Sequence, residues 1–162
     1  MEGTCAVIVL GNTEKKESQT MTTMTDRDWK NITYFKPYEF NEPDKMEYHF
    51  INRLDQFRKM VGKPIIVHSS YREDSDTHKQ GIAVDIHIVD MNVLDMFLLA
   101  ERSDLFKGIG VYPNWNSPGL HIDMRNKEAR WGCWTPTGTG KKNIYVPLDS
   151  AFIKRLVEEK LR

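Results

Sequence analysis

The chain is poor in several features that would fix a function class. Of its 162 residues only two are cysteine, Cys5 and Cys133. They are too few for a disulfide scaffold and do not form a metal-ligand pair by spacing, and the sequence leaves a single bridge between them open. Charge of one sign is also lacking. The 23 Lys and Arg balance the 23 Asp and Glu, so there is neither the basic excess nor the basic stripe of a nucleic-acid binder. No segment is long and apolar enough to span a bilayer. Residues 1–10 put an acidic residue, Glu2, ahead of a short apolar run, a poor secretory signal, and synthesis in the cytoplasm without a signal peptide is the expectation. There are no internal repeats. A chain of this length normally folds as one unit and buries most of the surface of its unfolded state.

Periodicity divides the chain coarsely. Residues 11–28, rich in Thr, Glu, Lys and Ser, read as a polar loop or mobile leader, so 1–28 is expected to be a leader strand and polar loop and 29–162 the single domain. Residues 44–61 carry Met46, Phe50, Leu54, Phe57 and Val61 at helical spacing, closed by Gly62 and Pro64. Residues 64–68 and 83–89 read as strands. Residues 91–102 read as a helix behind Asp90 as N-cap. Residues 108–112 and 120–124 form a hairpin around 113–119. Residues 150–161 close the chain as a helix with Phe152, Ile153, Leu156 and Val157 inward. Short strands with antiparallel connections and peripheral helices argue α+β.

Against that background one constellation carries chemistry. Ala83 to Val89 and Leu120 to Met124 alternate as half-buried strands do. Val84, Ile86, Ile88, Leu120, Ile122 and Met124 would share one face, and Asp85, His87, His121 and Asp123 the other. If the two strands pair, about 4.8 Å apart, Asp85 and His121 come close enough to share one ion. His78 must return to them from the preceding loop, a turn that Gly81 permits because it has no Cβ. Two imidazoles and one carboxylate are what a catalytic zinc keeps when its fourth position is open, whereas a structural zinc wants a fourth protein ligand. His87 shares the face of Asp85 and is read as a spectator.

These residues lie in a longer pattern. Asp76-Thr77-His78-Lys79-Gln80-Gly81-Ile82-Ala83-Val84-Asp85, followed by Leu120-His121-Ile122-Asp123, resembles the signature of the zinc D-alanyl-D-alanine carboxypeptidases and L-alanyl-D-glutamate endopeptidases, with Asp76 where that family usually has Ser. The resemblance extends from Tyr34-Phe35-Lys36-Pro37 through Gly62-Lys63-Pro64 and Ser69-Ser70-Tyr71-Arg72 to Gly108-Ile109-Gly110-Val111-Tyr112 and Ala129-Arg130-Trp131, and covers about residues 33 to 132. It implies the α+β fold shared with the hedgehog signalling domain, a small central and mainly antiparallel sheet flanked by helices. It implies one zinc ion on His78, Asp85 and His121. It also implies a monomeric metallopeptidase acting on peptidoglycan stem or cross-link peptides as a carboxypeptidase or endopeptidase, with neither nucleic acid nor membrane as partner. Such an enzyme would reach the cell wall by a route like phage-driven lysis, as an endolysin does.

Arg72 matches the Arg that in this family sits near the zinc and contacts substrate. Tyr71 beside it and Trp131 are the further expected substrate contacts, while Trp115 and Trp134 are candidates to wall the cleft. Many relatives place a Glu three residues before the last ligand, where this chain has Pro118. Asp123 is then the best available general base, and its rival role is to orient a ligand. The absent Glu also keeps a second reading alive, a non-catalytic zinc-containing binding or phage assembly module of the same fold.

Overall fold

The computed structural model describes residues 21–136 and 138–160. Along the chain the elements are α1 (Asp26–Trp29), α2 (Tyr48–Val61), β1 (Ile65–Ser69), α3 (Asp76–Lys79), β2 (Ala83–Ile88), α4 (Val93–Ser103), β3 (Gly108–Tyr112), β4 (Gly119–Asp123), β5 (Ala129–Cys133), β6 (Tyr145–Pro147) and α5 (Ser150–Lys160), with single 3-10 turns at Pro37–Glu39 and Pro43–Lys45. The strands form one open sheet in the order β1-β2-β4-β3-β5-β6. All neighbours are antiparallel except β3 and β5. The architecture is α+β, as the pattern of elements indicates.

The β3–β4 hairpin docks on β2, so the two alternating stretches become neighbours in the middle of the sheet. One face is wholly apolar. Val84, Ile86, Ile88, Ile109, Val111, Leu120 and Ile122 are each at most 1% exposed, and each such side chain contributes about 1.5–3 kcal/mol by leaving water. They join one cluster with Phe50, Leu54 and Phe57 of α2 and Leu94, Met96 and Phe97 of α4. Phe106 meets the rings of Phe50 and Phe57 edge-on, at 6.4 and 5.3 Å between centroids. The opposite face carries the polar residues taken up below.

Several boundaries differ from the sequence expectation, each for a local reason. Pro43 opens a separate 3-10 turn, and α2 begins only after Glu47, whose carboxylate accepts the Phe50 N–H at 2.7 Å. Asp90 does not cap α4. It lies in the left-handed region (φ 54°), where it turns the chain out of β2, and the cap is Asn92, whose side chain accepts the Asp95 N–H at 3.0 Å. In α5, Phe152 and Leu156 are buried, but Val157 is 38% exposed and faces outward. The last residues of the polar run are tied in: Thr25 and Asp28 form a capping box on α1, Met24 is buried, and Thr23 bridges to Glu47. Residues 1–20, with Cys5 and most of the expected leader, lie outside the described residues, and Cys133 is buried as a free thiol. No helix among the described residues is long and apolar enough to cross a membrane.

Candidate metal centre

Asp85 and His121 are direct partners across the β2–β4 ladder. Their side chains rise from the face opposite the apolar core, as the alternation requires. His78 comes from α3, a single helical turn that starts behind Ser75. The chain leaves α3 through Gly81 at φ +71°, where a Cβ would stand 2.1 Å from the Lys45 carbonyl oxygen. Only glycine lets this turn press against the 45–47 segment, and the Glu47 N–H donates to the Gly81 carbonyl there at 2.9 Å. The three residues are 0%, 8% and 6% exposed for His78, Asp85 and His121 respectively.

Their inward atoms form a small triangle. His78 Nε2 and His121 Nδ1 are 3.2 Å apart, and Asp85 Oδ1 lies 3.4 Å from the first and 2.9 Å from the second. A tetrahedral ion with bonds of about 2.0–2.1 Å has ligand-to-ligand edges of about 3.3 Å, so the group is spaced to hold one metal ion. The remaining ring nitrogens are committed. His78 Nδ1 donates to the Ser70 carbonyl, and His121 Nε2 donates to Asp123 Oδ2 at 2.9 Å. Each bond selects the tautomer whose lone pair points into the triangle.

The electrostatics follow from this enclosure. Burial alone would raise the Asp85 carboxyl, but the hydrogen bonds and charges of His121 and His78 outweigh it and hold the group well below the usual carboxylate range. Burial alone would lower His121, and Asp123 and Asp85 more than reverse it, so this imidazole binds a proton more tightly than a free one. The same proton competes with a metal ion.

Asp123 stands behind His121. It is fully buried, and Arg125 grips it, with Nε at 2.9 Å from Oδ1 and Nη2 at 2.5 Å from Oδ2, while the Arg125 N–H adds a bond to Oδ1 at 3.0 Å. The general-base role expected for Asp123 does not suit this placement. Both oxygens are occupied, and the imidazole lies between the carboxylate and the triangle. The placement suits its rival role, holding the ring of a ligand. Arg125, two residues further along, completes the device; the spacing Asp123-x-Arg125 is its only sequence signal.

Arg72 is 43% exposed and lies between two carboxylates, with Nη2 3.5 Å from Asp85 Oδ2 and Nη1 3.7 Å from Asp74 Oδ1. Tyr71 donates its hydroxyl to Glu73 at 2.5 Å and lies under the Lys45 ammonium at 4.5 Å, so its contacts are with these two rather than with the ligands. The Trp131 ring lies 5.4 Å from that of His121. It can do so because its β3 partner is Gly110, where a Cβ would meet the indole at 2.5 Å. A groove of about 240 Å³ opens beside Asp85, lined by His68, Asp85, Trp115, Asn116 and Ser117. Trp134 is not part of it. Its ring packs on Phe152 and under Arg155 instead.

His68 is missing from the sequence reading although alternation could have found it: Ile66 pairs with His87, and His68, two residues on, shares its exposed face. It stacks on His87, with Nε2 2.6 Å from His87 Nδ1, so His87 faces this neighbour rather than the triangle. Burial, and then the nearby His68, lowers the proton affinity of His87. A larger hollow of about 430 Å³ opens past His87 toward α4 and α5, with none of the triangle residues in its lining. In comparisons with known proteins the chain matches no family model, no curated protein and no solved structure.

Proposed function

We propose that the protein is a zinc-dependent peptidase that hydrolyses amide bonds in the stem or cross-link peptides of peptidoglycan, on the fold of the carboxypeptidases and endopeptidases its sequence resembles. The observation that carries this reading is the triangle of His78, Asp85 and His121, buried and tautomer-fixed, with a groove opening beside it. Two imidazoles and one carboxylate suit zinc and leave a position free for chemistry. A zinc ion held there would polarise a carbonyl and lower the pKa of a bound water to about 7.

The chain's own groups supply the rest. Arg72, half exposed beside Asp85, places a cation where an amide oxygen gains negative charge. Trp131, next to His121, offers an apolar wall to the substrate side chain. Asp85 and Asp123 are both engaged, so neither can carry the proton that the reaction takes from water. His68, which lines the groove and meets His87 through Nε2, takes that part through its other ring nitrogen, Nδ1.

Incubating the zinc-loaded protein with purified peptidoglycans of differing cross-link chemistry should release new amino groups, and a chelator should stop the release. In the same assay His68→Ala should keep its zinc and lose about 10²- to 10⁴-fold in turnover. The second reading, a metal-holding binding or assembly module, is favoured by the full engagement of Asp123. Zinc-loaded protein that binds peptidoglycan and cleaves no bond would establish that reading in place of the first.

A further inference from the structure

Tyr112 ends β3 on the face that carries the triangle. Gly110, two residues earlier, pairs with His121, and Tyr112 itself pairs with Gly119, which contributes no side chain. The Tyr112–Gly119 row therefore lies about 7 Å along the strands from the Gly110–His121 row, two residues of rise. Nothing from β4 comes between. Two tryptophans fix it. The Trp131 Nε1–H donates to the Tyr112 hydroxyl oxygen at 2.9 Å, and that same indole lies against the His121 ring. Trp115 stacks flat on the phenol, 4.0 Å between centroids and 14° from parallel, and lines the groove beside Asp85. Tyr112 is only 6% exposed.

In this sandwich the hydroxyl oxygen accepts from Trp131, and no acceptor for the hydroxyl hydrogen exists among the described residues. Burial, reinforced by the charges of Tyr145 and Asp85, raises the phenol beyond its ordinary range. The phenol is therefore protonated near neutral pH and keeps a hydrogen to donate.

We infer that Tyr112 is a further substrate-contacting residue: its hydroxyl, held by Trp131 and stacked under Trp115, which lines the groove, donates a hydrogen bond to the oxygen of a ligand bound at the His78, Asp85 and His121 centre. The inference rests on the metal-centre reading above but not on the identity of the substrate. A neutral donor here complements the Arg72 cation. Arg72 lies beside Asp85 of β2, whereas Tyr112 stands on β3 behind Trp115.

Acetohydroxamate is a probe that needs no peptidase activity. Titrated calorimetrically into the zinc-loaded parent and zinc-loaded Tyr112→Phe, it should bind the variant about 5- to 30-fold more weakly, the loss of one hydrogen bond, with zinc content and melting temperature unchanged. Trp131→Phe keeps the hydroxyl but removes the N–H that holds it, and should weaken the probe by a smaller factor. Equal affinity in parent and Tyr112→Phe overturns the inference, as does failure of the probe to bind the zinc-loaded parent. If Tyr112→Phe loses zinc or unfolds, Trp131→Phe decides, and parent-like affinity there overturns it too. A hydroxyl-dependent probe with no peptidoglycan cleavage would sustain the inference while removing the peptidase reading.

Discussion

His78 reaches the triangle from a single turn of helix and is aimed by the Ser70 main-chain carbonyl, whereas His121 stands on a central strand and is aimed by Asp123, itself locked by Arg125. The carbonyl is a neutral dipole that no side-chain substitution removes. The carboxylate is a buried charge that one substitution neutralises. The two ligands should therefore fail differently. His121 is open to mutation, to protons and to loss of the Arg125 partner. His78 depends on the loop geometry that presents Ser70, whose hydroxyl accepts the Asn41 N–H at 2.7 Å and donates to the Asn41 carbonyl at 3.0 Å.

Removing either ring outright erases the difference and has the largest effect. His78→Ala and His121→Ala should each bring zinc in the purified protein to background, as read by elemental analysis. Full zinc in both variants, or iron in place of zinc in the parent, would sink the proposed centre. Next in size is Asp123→Asn, which keeps the shape and removes the charge. Zinc affinity should weaken by roughly 10- to 100-fold, with activity partly restored by excess metal. A variant that binds zinc like its parent and still turns over slowly would instead return Asp123 to the role of general base.

A pH series sharpens the comparison further. His121 has its proton affinity raised above the ordinary 6.5 by Asp123 and Asp85, against the effect of burial. Its protonated form therefore stabilises the chelated protein fully below about 6.5, and that stability drains away as pH rises through the raised value. Zinc needs the deprotonated ring, so its contribution grows over the same interval. Melting temperatures of chelated and zinc-loaded protein between pH 6 and 9 should move in opposite directions. Parallel slopes would detach His121 from the metal. The smallest effect belongs to Ser70→Ala, which leaves the carbonyl but frees Asn41. It should cost about 1–3 kcal/mol of folding stability and lower zinc affinity by less than Asp123→Asn does, measured by denaturant titration alongside metal competition.

Much of this centre was legible because strand alternation has a period of two. Once 83–89 and 120–124 are read as strands, Asp85 and His121 must share a face with Asp123, and pairing brings them together. What was not legible depends on contacts between distant segments. The antiparallel pairing of β1 with β2 that brings His68 to His87, the parallel pairing of β5 with β3 that lays Trp131 over Gly110, and the packing of Trp134 on Phe152 all reflect choices among neighbours that no local pattern records. The cap of α4 failed for a smaller reason. Asp90 and Asn92 are both good capping residues, and the left-handed turn at Asp90 decides between them.

The separation of the ligands along the chain also has a kinetic side. Asp85 and His121 are 36 positions apart, and α4 and β3 lie between β2 and β4 along the chain. The cage exists only after β4 docks on β2, which closes a long loop and so carries an entropic cost. Where docking follows the rate-limiting barrier, an ion added during refolding finds no site until the barrier is crossed. It then holds β2 and β4 together afterwards. On this view a metal ion bound by the triangle would act as a latch rather than a template: it would lengthen the lifetime of the folded chain and leave the speed of reaching it almost unchanged.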